Sequence, residues 1–479
     1  MKIILASILL LATFCTIAQP KAHIGDAEDF KLEKDPKSMS FSGSTEDYII
    51  LTRIEHMMRY HTLVTANKNG SIKSVNDIVL NGGSYTNMFE IISIQLAGDK
   101  LVAFIDNLNK TDGKHKLSYK YLSPSGILGA EETTVGVFNY EKRGNAGNWY
   151  ISSTPGGKHF AVIAQQPHEK DMADKFNYYF LDETLKPGKT GQFSFAENTK
   201  ELPVSKFLAS DNGDFYLLSY KNSYTAENII LNQASVNNAK GVITQVNIGE
   251  GLINTSYATT FSPEGNLLMA GYYKKKVKFG FDSESALGTW LFNAAKPTEI
   301  KTIAYDKPIE YLTTKAIVAN GNTLYVVGEI LKKVEEKNYA TGMAALDVNY
   351  IYNHGNILVN AFDNDGNKKF ETPINRKWTT RNLEGPYQIA IGVMNNKLTL
   401  VYNDQYGKYI DDKTYSNHLL PVLVSITNDG LMEAPVQYAK EMETTKTDFM
   451  LYPMYNVGDN NHMVVLAAST EKIKGVAFK

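Results

Sequence analysis

Ser262-Pro263-Glu264-Gly265-Asn266-Leu267-Leu268-Met269-Ala270 is a tight turn that runs directly into a short apolar strand. Proline presets φ for such a reversal and glycine takes the positive φ it needs. Near-copies recur along the chain: Ala97-Gly98-Asp99-Lys100-Leu101-Val102-Ala103-Phe104-Ile105, Pro155-Gly156-Gly157-Lys158-His159-Phe160-Ala161-Val162-Ile163 and Asp211-Asn212-Gly213-Asp214-Phe215-Tyr216-Leu217-Leu218. Beyond the Gly265 copy come Asn320-Gly321-Asn322-Thr323-Leu324-Tyr325-Val326-Val327, Asn395-Asn396-Lys397-Leu398-Thr399-Leu400-Val401 and Gly458-Asp459-Asn460-Asn461-His462-Met463-Val464-Val465-Leu466. A degenerate copy, Ser44-Thr45-Glu46-Asp47-Tyr48-Ile49-Ile50-Leu51, stands at the front. Successive copies lie roughly 50 to 75 residues apart, the kind of period that marks a repeat architecture.

A second element accompanies most copies, an apolar run ending in its own turn. The turns are Asn67-Lys68-Asn69-Gly70, Ser123-Pro124-Ser125-Gly126, Lys186-Pro187-Gly188, Asp363-Asn364-Asp365-Gly366 and Thr427-Asn428-Asp429-Gly430. Asn-Gly, Asp-Gly and Pro-Gly pairs between extended runs are hairpin turns. Each unit thus reads as strand, tight turn, buried strand, long loop, strand, tight turn, strand. That is a four-stranded antiparallel meander, the blade of an all-β propeller. Eight blades is the favoured count and seven the alternative, according to whether the front copy is a whole blade or part of the last. The final unit shows three strands (Tyr452-Pro453-Met454-Tyr455, Met463 to Ala468, Lys472 to Phe478) and no fourth. An unpaired edge strand is a liability, so a strand around Phe30-Lys31-Leu32 is expected to close the ring.

Residues 1–18 read as a signal peptide: Lys2, an apolar run, and Thr16-Ile17-Ala18 before Gln19-Pro20. Cys15 is the only cysteine and lies in that segment, behind Phe14 rather than the small residue a lipoprotein site needs. A mature chain without thiols excludes disulfides, cysteine nucleophiles and thiolate metal sites. Residues 19–479 are expected to form one propeller domain with no transmembrane span. The net charge of −2 argues against nucleic acid, which needs a concentrated basic surface. The one basic cluster, Lys274-Lys275-Lys276-Val277-Lys278, reads as solvated edge protection.

The connections are unequal. In a propeller the first-to-second and third-to-fourth strand turns share one face, and here they are the short glycine turns. The opposite face carries long and varied connections: Asp106 to Lys116, Gln165 to Asn177, Tyr272 to Gly288, Leu331 to Gly355 and Asn403 to His418. A rigid scaffold with one elaborated face is how frameworks carry binding sites. Aromatic, amide and charged residues interleave there, and Tyr, Trp and Arg are usual interface anchors. The candidate binding residues are Tyr85, Tyr140, Arg143, Trp378, Arg381, Asp404, Tyr406, Tyr409 and Asp412.

Catalytic signatures are thin. His56 and His61 are five apart without a third ligand nearby in sequence, and a structural role is favoured for them. Asp363-Asn364-Asp365-Gly366 lacks the closing glutamate of a calcium loop. Gly-x-Ser-x-Gly, His-Glu-x-x-His and phosphate-cradling glycine loops do not occur. No catalytic residue, metal site or cofactor is therefore assigned.

Through the Gly98, Gly157, Gly213, Gly265 and Gly321 copies, the chain resembles the β-propeller superfamily of exported bacterial proteins. It lacks the Trp-Asp dipeptide of WD40 repeats, and Ser283-Glu284-Ser285-Ala286-Leu287-Gly288-Thr289-Trp290 has the wrong spacing for a sialidase Asp-box. The expectation is a secreted or periplasmic, non-catalytic binding or assembly module, a monomer whose long-loop face holds an envelope or extracellular protein or a glycan. The alternative is a carbohydrate hydrolase or lyase with carboxylates, drawn from Asp404, Asp411, Asp412 and Glu141, at the central funnel.

Overall fold

The computed structural model describes residues 22–24, 28–29, 39–45, 48–55, 58–66, 71–80, 86–195, 202–220, 229–276, 284–338, 347–381, 389–405, 419–437, 450–451, 463–468 and 472–478. Among them regular structure is β, apart from a short 3-10 turn at Arg143–Asn145.

The strands form successive antiparallel meanders over 39–78, 87–139, 148–194, 206–246, 252–310, 312–374, 390–437 and 450–478. Within each, strand order in the sheet follows chain order. The 148–194 and 206–246 meanders are joined by one parallel bridge, Ser194 to Lys240.

The reason for this arrangement lies in the second strands. Leu101–Ile105, Phe160–Ala164 and Phe215–Leu218 are buried at every position, instead of alternating as one-sided strands do. Such a strand needs a neighbour on each face, and the core supplies it between consecutive meanders. Phe104 of one packs near Phe160 of the next, and Tyr178 and Phe193 pack on Phe215 of the one after. Tyr325 and Val359 pack with Leu400 and Val424 in the same way.

First strands of neighbouring meanders lie against one another: Asn148–Ser153 beside Lys206–Ala209, Leu252–Phe261 beside Leu312–Asn320, and Leu312–Asn320 beside Ala390–Met394. Ser256 Oγ accepts from Thr314 N at 2.6 Å across one such seam. Fourth strands are mostly exposed, as at Pro187–Ser194. First strands inward and fourth strands outward, repeated around an axis, make a β-propeller.

The last meander lies against the first, with Lys472–Phe478 and Glu28–Asp29 beside Ile72–Ile78. Its missing strand comes from the N-terminal end, but earlier than expected. Ala22–Ile24 pairs with Val476–Phe478, and Glu28–Asp29 pairs with Lys472 and Ile473. Phe30, Lys31 and Leu32 lie outside the described residues. An edge strand is held by backbone pairing, so its polar composition is no obstacle.

The turns carry the glycines where positive φ is needed, for example Gly265 at φ 86°. The Lys186-Pro187-Gly188 turn is corrected: Leu185 takes the positive φ, and Pro187–Ser194 is already strand. Asp182 makes this possible, because its Oδ1 accepts from Thr184 N (2.8 Å) and Lys186 N (3.0 Å). Turns of neighbouring meanders are also tied together. Asp211 accepts from Gly156 N at 2.9 Å, Asn212 donates to Glu264 O at 3.1 Å, and Asn320 donates to Asn396 O at 3.2 Å.

The opposite end differs from expectation in two places. The supposed loop 106–116 is largely strand, with Lys100–Asn109 and Lys114–Leu122 joined by a tight turn. The supposed loop 331–355 is a hairpin extension. Thr323–Asn338 and Asp347–Phe362 are each 16 residues long, and Trp378–Arg381 adds a third strand on Asp347–Phe362.

Close sheet packing also explains glycine inside strands. At Gly328 an added Cβ would sit 2.4 Å from the Tyr272 hydroxyl oxygen of the preceding meander. Gly328→Ala is expected to destabilise the fold by about 1–3 kcal/mol through overpacking, read by chemical denaturation. A second change, Tyr272→Leu, should restore part of the loss.

Candidate functional site

The hairpin extension stands on a buried ionic cluster at the long-connection end of the 312–374 meander. Glu329 belongs to Thr323–Asn338 beside the bulge where pairing skips from Glu329 to Leu331. The bulge turns a carboxylate into an otherwise apolar interior, which is tolerated only if it is paired and hydrogen-bonded.

Three neighbours meet that need. His354 Nδ1 lies 2.6 Å from Glu329 Oε1, and the Arg376 guanidinium contacts the same oxygen. Lys315 Nζ, from the first strand, lies 2.7 Å from Oε2, an ion pair without hydrogen-bond alignment. Arg376 is anchored further, with its backbone N donating to Asn356 Oδ1 (3.2 Å) and its Nε to Gly355 O (3.4 Å).

Aromatic rings enclose the cluster. Trp378 stacks on His354 with ring centroids 3.9 Å apart and planes 4° from parallel. The guanidinium carbon lies 5.6 Å from the Trp378 ring centre and 5.7 Å from that of Tyr402 in the next meander. Arg376 thus bridges two meanders, and its Nη1 is buried without a hydrogen-bond partner.

Burial alone would push the Glu329 carboxyl up. Arg376, the hydrogen bond from His354 and the Lys315 charge outweigh it and hold the pKa at about 2. Burial pushes the His354 imidazole down, against the pull of Glu329, which favours the neutral ring donating from Nδ1. A carboxylate so fully engaged is no general acid near neutral pH. The cluster is a mount that fixes the base of the hairpin and the Trp378 ring.

A second polar group lies between the 87–139 and 148–194 meanders. His115 Nε2 is 2.6 Å from Asp106 Oδ1 and its Nδ1 is 2.9 Å from Ala146 O. His168 Nδ1 is 2.6 Å from Asp174 Oδ1, while Asp174 Oδ2 accepts from Gln165 Nε2 (2.8 Å) and Leu202 N (2.7 Å). Asn145 clamps His168 reciprocally, accepting from its N and donating to its O, both at 2.8 Å.

The candidate residues divide between these places. Trp378 is buried in the cluster, and Arg381 shares its strand, paired in backbone with Ile351. Asp404 is fully buried two residues beyond Tyr402. Tyr140 and Arg143 belong to the other group: Tyr140 is buried, and exposed Arg143 reaches the Met88 sulfur at 3.2 Å. Expected as exposed anchors, Trp378, Asp404 and Tyr140 are instead interior, because connections here pack into the meander ends. Tyr85, Tyr406, Tyr409 and Asp412 lie outside the described residues, as does His56. His61 is buried in Met58–Ala66, 2.9 Å from Ile91 O. Lys315, Glu329, His354 and Arg376 were not among the candidates. Their one signal is a glutamate inside the apolar run Leu324–Ile330.

No protein-family model matches the chain, and no curated protein matches it. Among solved structures it is similar to the phage phi92 endosialidase, with 9% identity over 87% of this chain and 75% of that one, at a TM-score of 0.35. It is similar to the Pyrococcus horikoshii acylaminoacyl peptidase, with 10% identity over 93% of this chain, at a TM-score of 0.35. The chain spans 57% of that peptidase's length. It is also similar to the β-propeller domain of the Trilobed protease from Pyrococcus furiosus, with 10% identity over 86% of this chain and 100% of that one, at 0.37. Likenesses of this size carry no argument, and the architecture rests on the strand pairing.

Glu329→Gln leaves Arg376 and Lys315 without a buried counter-charge and should cost about 3–5 kcal/mol in denaturation. The sign with pH follows from the lowered pKa values. Glu329 contributes stability that is full above about pH 4.5 and lost as pH falls toward 2. His354, also lowered, adds a contribution lost below its ordinary 6.5. Denaturation midpoints from pH 7 to pH 2 should fall less steeply below pH 4.5 in the glutamine variant than in the parent.

Proposed function

We propose that the chain is an exported binding or assembly module whose long-connection face holds a protein or a glycan. Residues 1–18 direct export in this reading, and 19–479 form one ring of eight blades, each meander being a blade. The single observation that carries the reading is the rigidly mounted hairpin. Extended strands normally end with the sheet, yet here two of them run on and are braced by a third strand. A buried ionic cluster, costly in itself, locks their base.

The surface of the extension suits recognition. Exposed Lys333 lies 4.0 Å from the ring centre of half-buried Tyr350, whose ring is 6.5 Å from that of Tyr352, itself buried. Flat rings beside amides and charges are used both for protein contacts and for sugar faces. Against the hydrolase alternative stands the engagement of three described carboxylates near this end. Glu329, Asp106 and Asp174 are each committed to a histidine, and Glu329 also to two cations.

The test is a glycan array together with co-purification from an envelope fraction, using the mature protein. Val334 and Ile351 are cross-strand partners, so the hairpin can be shortened to a two-residue turn between them, which keeps every partner of Trp378–Arg381. Retention of glycan or partner is expected to vanish in the shortened variant while its far-UV circular dichroism and melting temperature stay those of the parent. Unchanged retention would defeat the proposal.

A further inference from the structure

The inner wall of the ring carries a cation without a counter-charge. Lys206 opens the first strand of the 206–246 meander, Lys206–Ala209. Its Nζ reaches across the seam and donates to Thr259 Oγ1 of the next first strand, Leu252–Phe261, at 2.7 Å. Among the described residues no carboxylate pairs with it. The side chain is open to solvent, yet protein crowds it from both meanders, and that crowding pushes its ammonium below the ordinary lysine value. Lys315, the other lysine on a described first strand, is by contrast engaged with Glu329.

The donors left over define what the site takes. An ammonium has three N–H groups and no acceptor, so two remain after the bond to Thr259. Thr259 Oγ accepts that bond and keeps its own O–H free to donate. Three donors beside an uncompensated positive charge are the requirements of an oxyanion.

Aromatic rings flank these donors. Alternation along Leu252–Phe261 places Tyr257 and Phe261 on the same face as Thr259, one to each side. Both rings are half-buried. The Phe261 ring packs 6.0 Å from that of Tyr216, and the Tyr257 hydroxyl lies 3.0 Å from that of Tyr220, so both are held in place. Flat rings with one apolar face suit the faces of sugars. A single lysine matches one carboxylate charge, whereas phosphate is usually gripped by arginine forks. We propose that this seam binds an acidic glycan, with a sugar carboxylate on Lys206 and Thr259 and the sugar against Tyr257 and Phe261.

One charge and two rings give a weak site, sensitive to salt. It lies on other meanders than the hairpin extension and stands whether or not that extension holds a partner.

Isothermal titration calorimetry of the mature protein at low salt tests the proposal, with trigalacturonate and sialyllactose as probes. The parent should bind at least one of them with a Kd of about 1 mM or tighter. Neutral galactotriose and lactose should bind at least about tenfold more weakly. Lys206→Met keeps the apolar stem and removes the charge, and should weaken binding at least about tenfold; Thr259→Val should weaken it about threefold. Lys206→Met should also melt at or above the temperature of the parent, since it removes a crowded and unpaired charge, so its lost binding is not lost folding. The variant with the shortened hairpin should bind as the parent does, which separates this seam from the long-connection face. A parent that binds neither probe, or undiminished binding in Lys206→Met, would overturn the inference. So would inorganic sulfate or hexaglutamate bound as tightly as the acidic sugars.

Discussion

Two-faced burial of each sheet is the constraint from which the rest follows. A second strand such as Phe160–Ala164, with no residue left for solvent, cannot be satisfied by one sheet or by a sandwich with one outer side. It needs a like sheet before it and another after it. Sheets that all need two neighbours leave two unsatisfied faces in any open row, and only a ring removes both. Closure through Ala22–Ile24 and Glu28–Asp29 is therefore part of the core's requirement as well as protection of an edge.

The ring in turn makes its two faces unlike. On one, short turns are tied to each other by Asp211, Asn212 and Asn320, and variation is small. On the other, the connections pack into the meander ends yet are free to differ from meander to meander. The 312–374 meander uses this freedom most, extending a hairpin over a cluster of Glu329, His354, Arg376 and Lys315. Such a cluster contributes little net stability against an apolar substitute, since desolvation offsets most of the attraction. What it supplies is a fixed angle. A carboxylate gripped by three groups from two other strands and a connection permits few other arrangements of them.

Much of the architecture was legible because turn chemistry and apolar runs are local signals. Gly98, Gly157, Gly213, Gly265 and Gly321 announce the reversals by conformational need alone, and each takes positive φ. The hairpin at 331–355 was not legible. Lys332-Lys333-Val334-Glu335-Glu336 has no alternation of apolar and polar residues, because neither face of that strand is built into a core, and it reads as loop. The site residues failed for a different reason. Tyr, Trp and Asp serve equally as surface anchors and as buried, bonded members of a packed end, so residue type did not separate Trp378 and Asp404 from exposed neighbours. The meeting of Glu329 with His354 and Arg376 depends on a bulge and a cross-strand register, neither of which is written in any one segment.

Pairing Ala22 with Phe478 joins the most distant described parts of the polypeptide. Contacts of such sequence separation form late, since the entropy of closing the intervening chain has to be met first. A ribosome releases the N-terminal partner long before its mate exists, so that segment waits unpaired through synthesis and passage across any membrane. The outermost clasp is thus the last part of the protein to be made and the natural place for it to come apart under force.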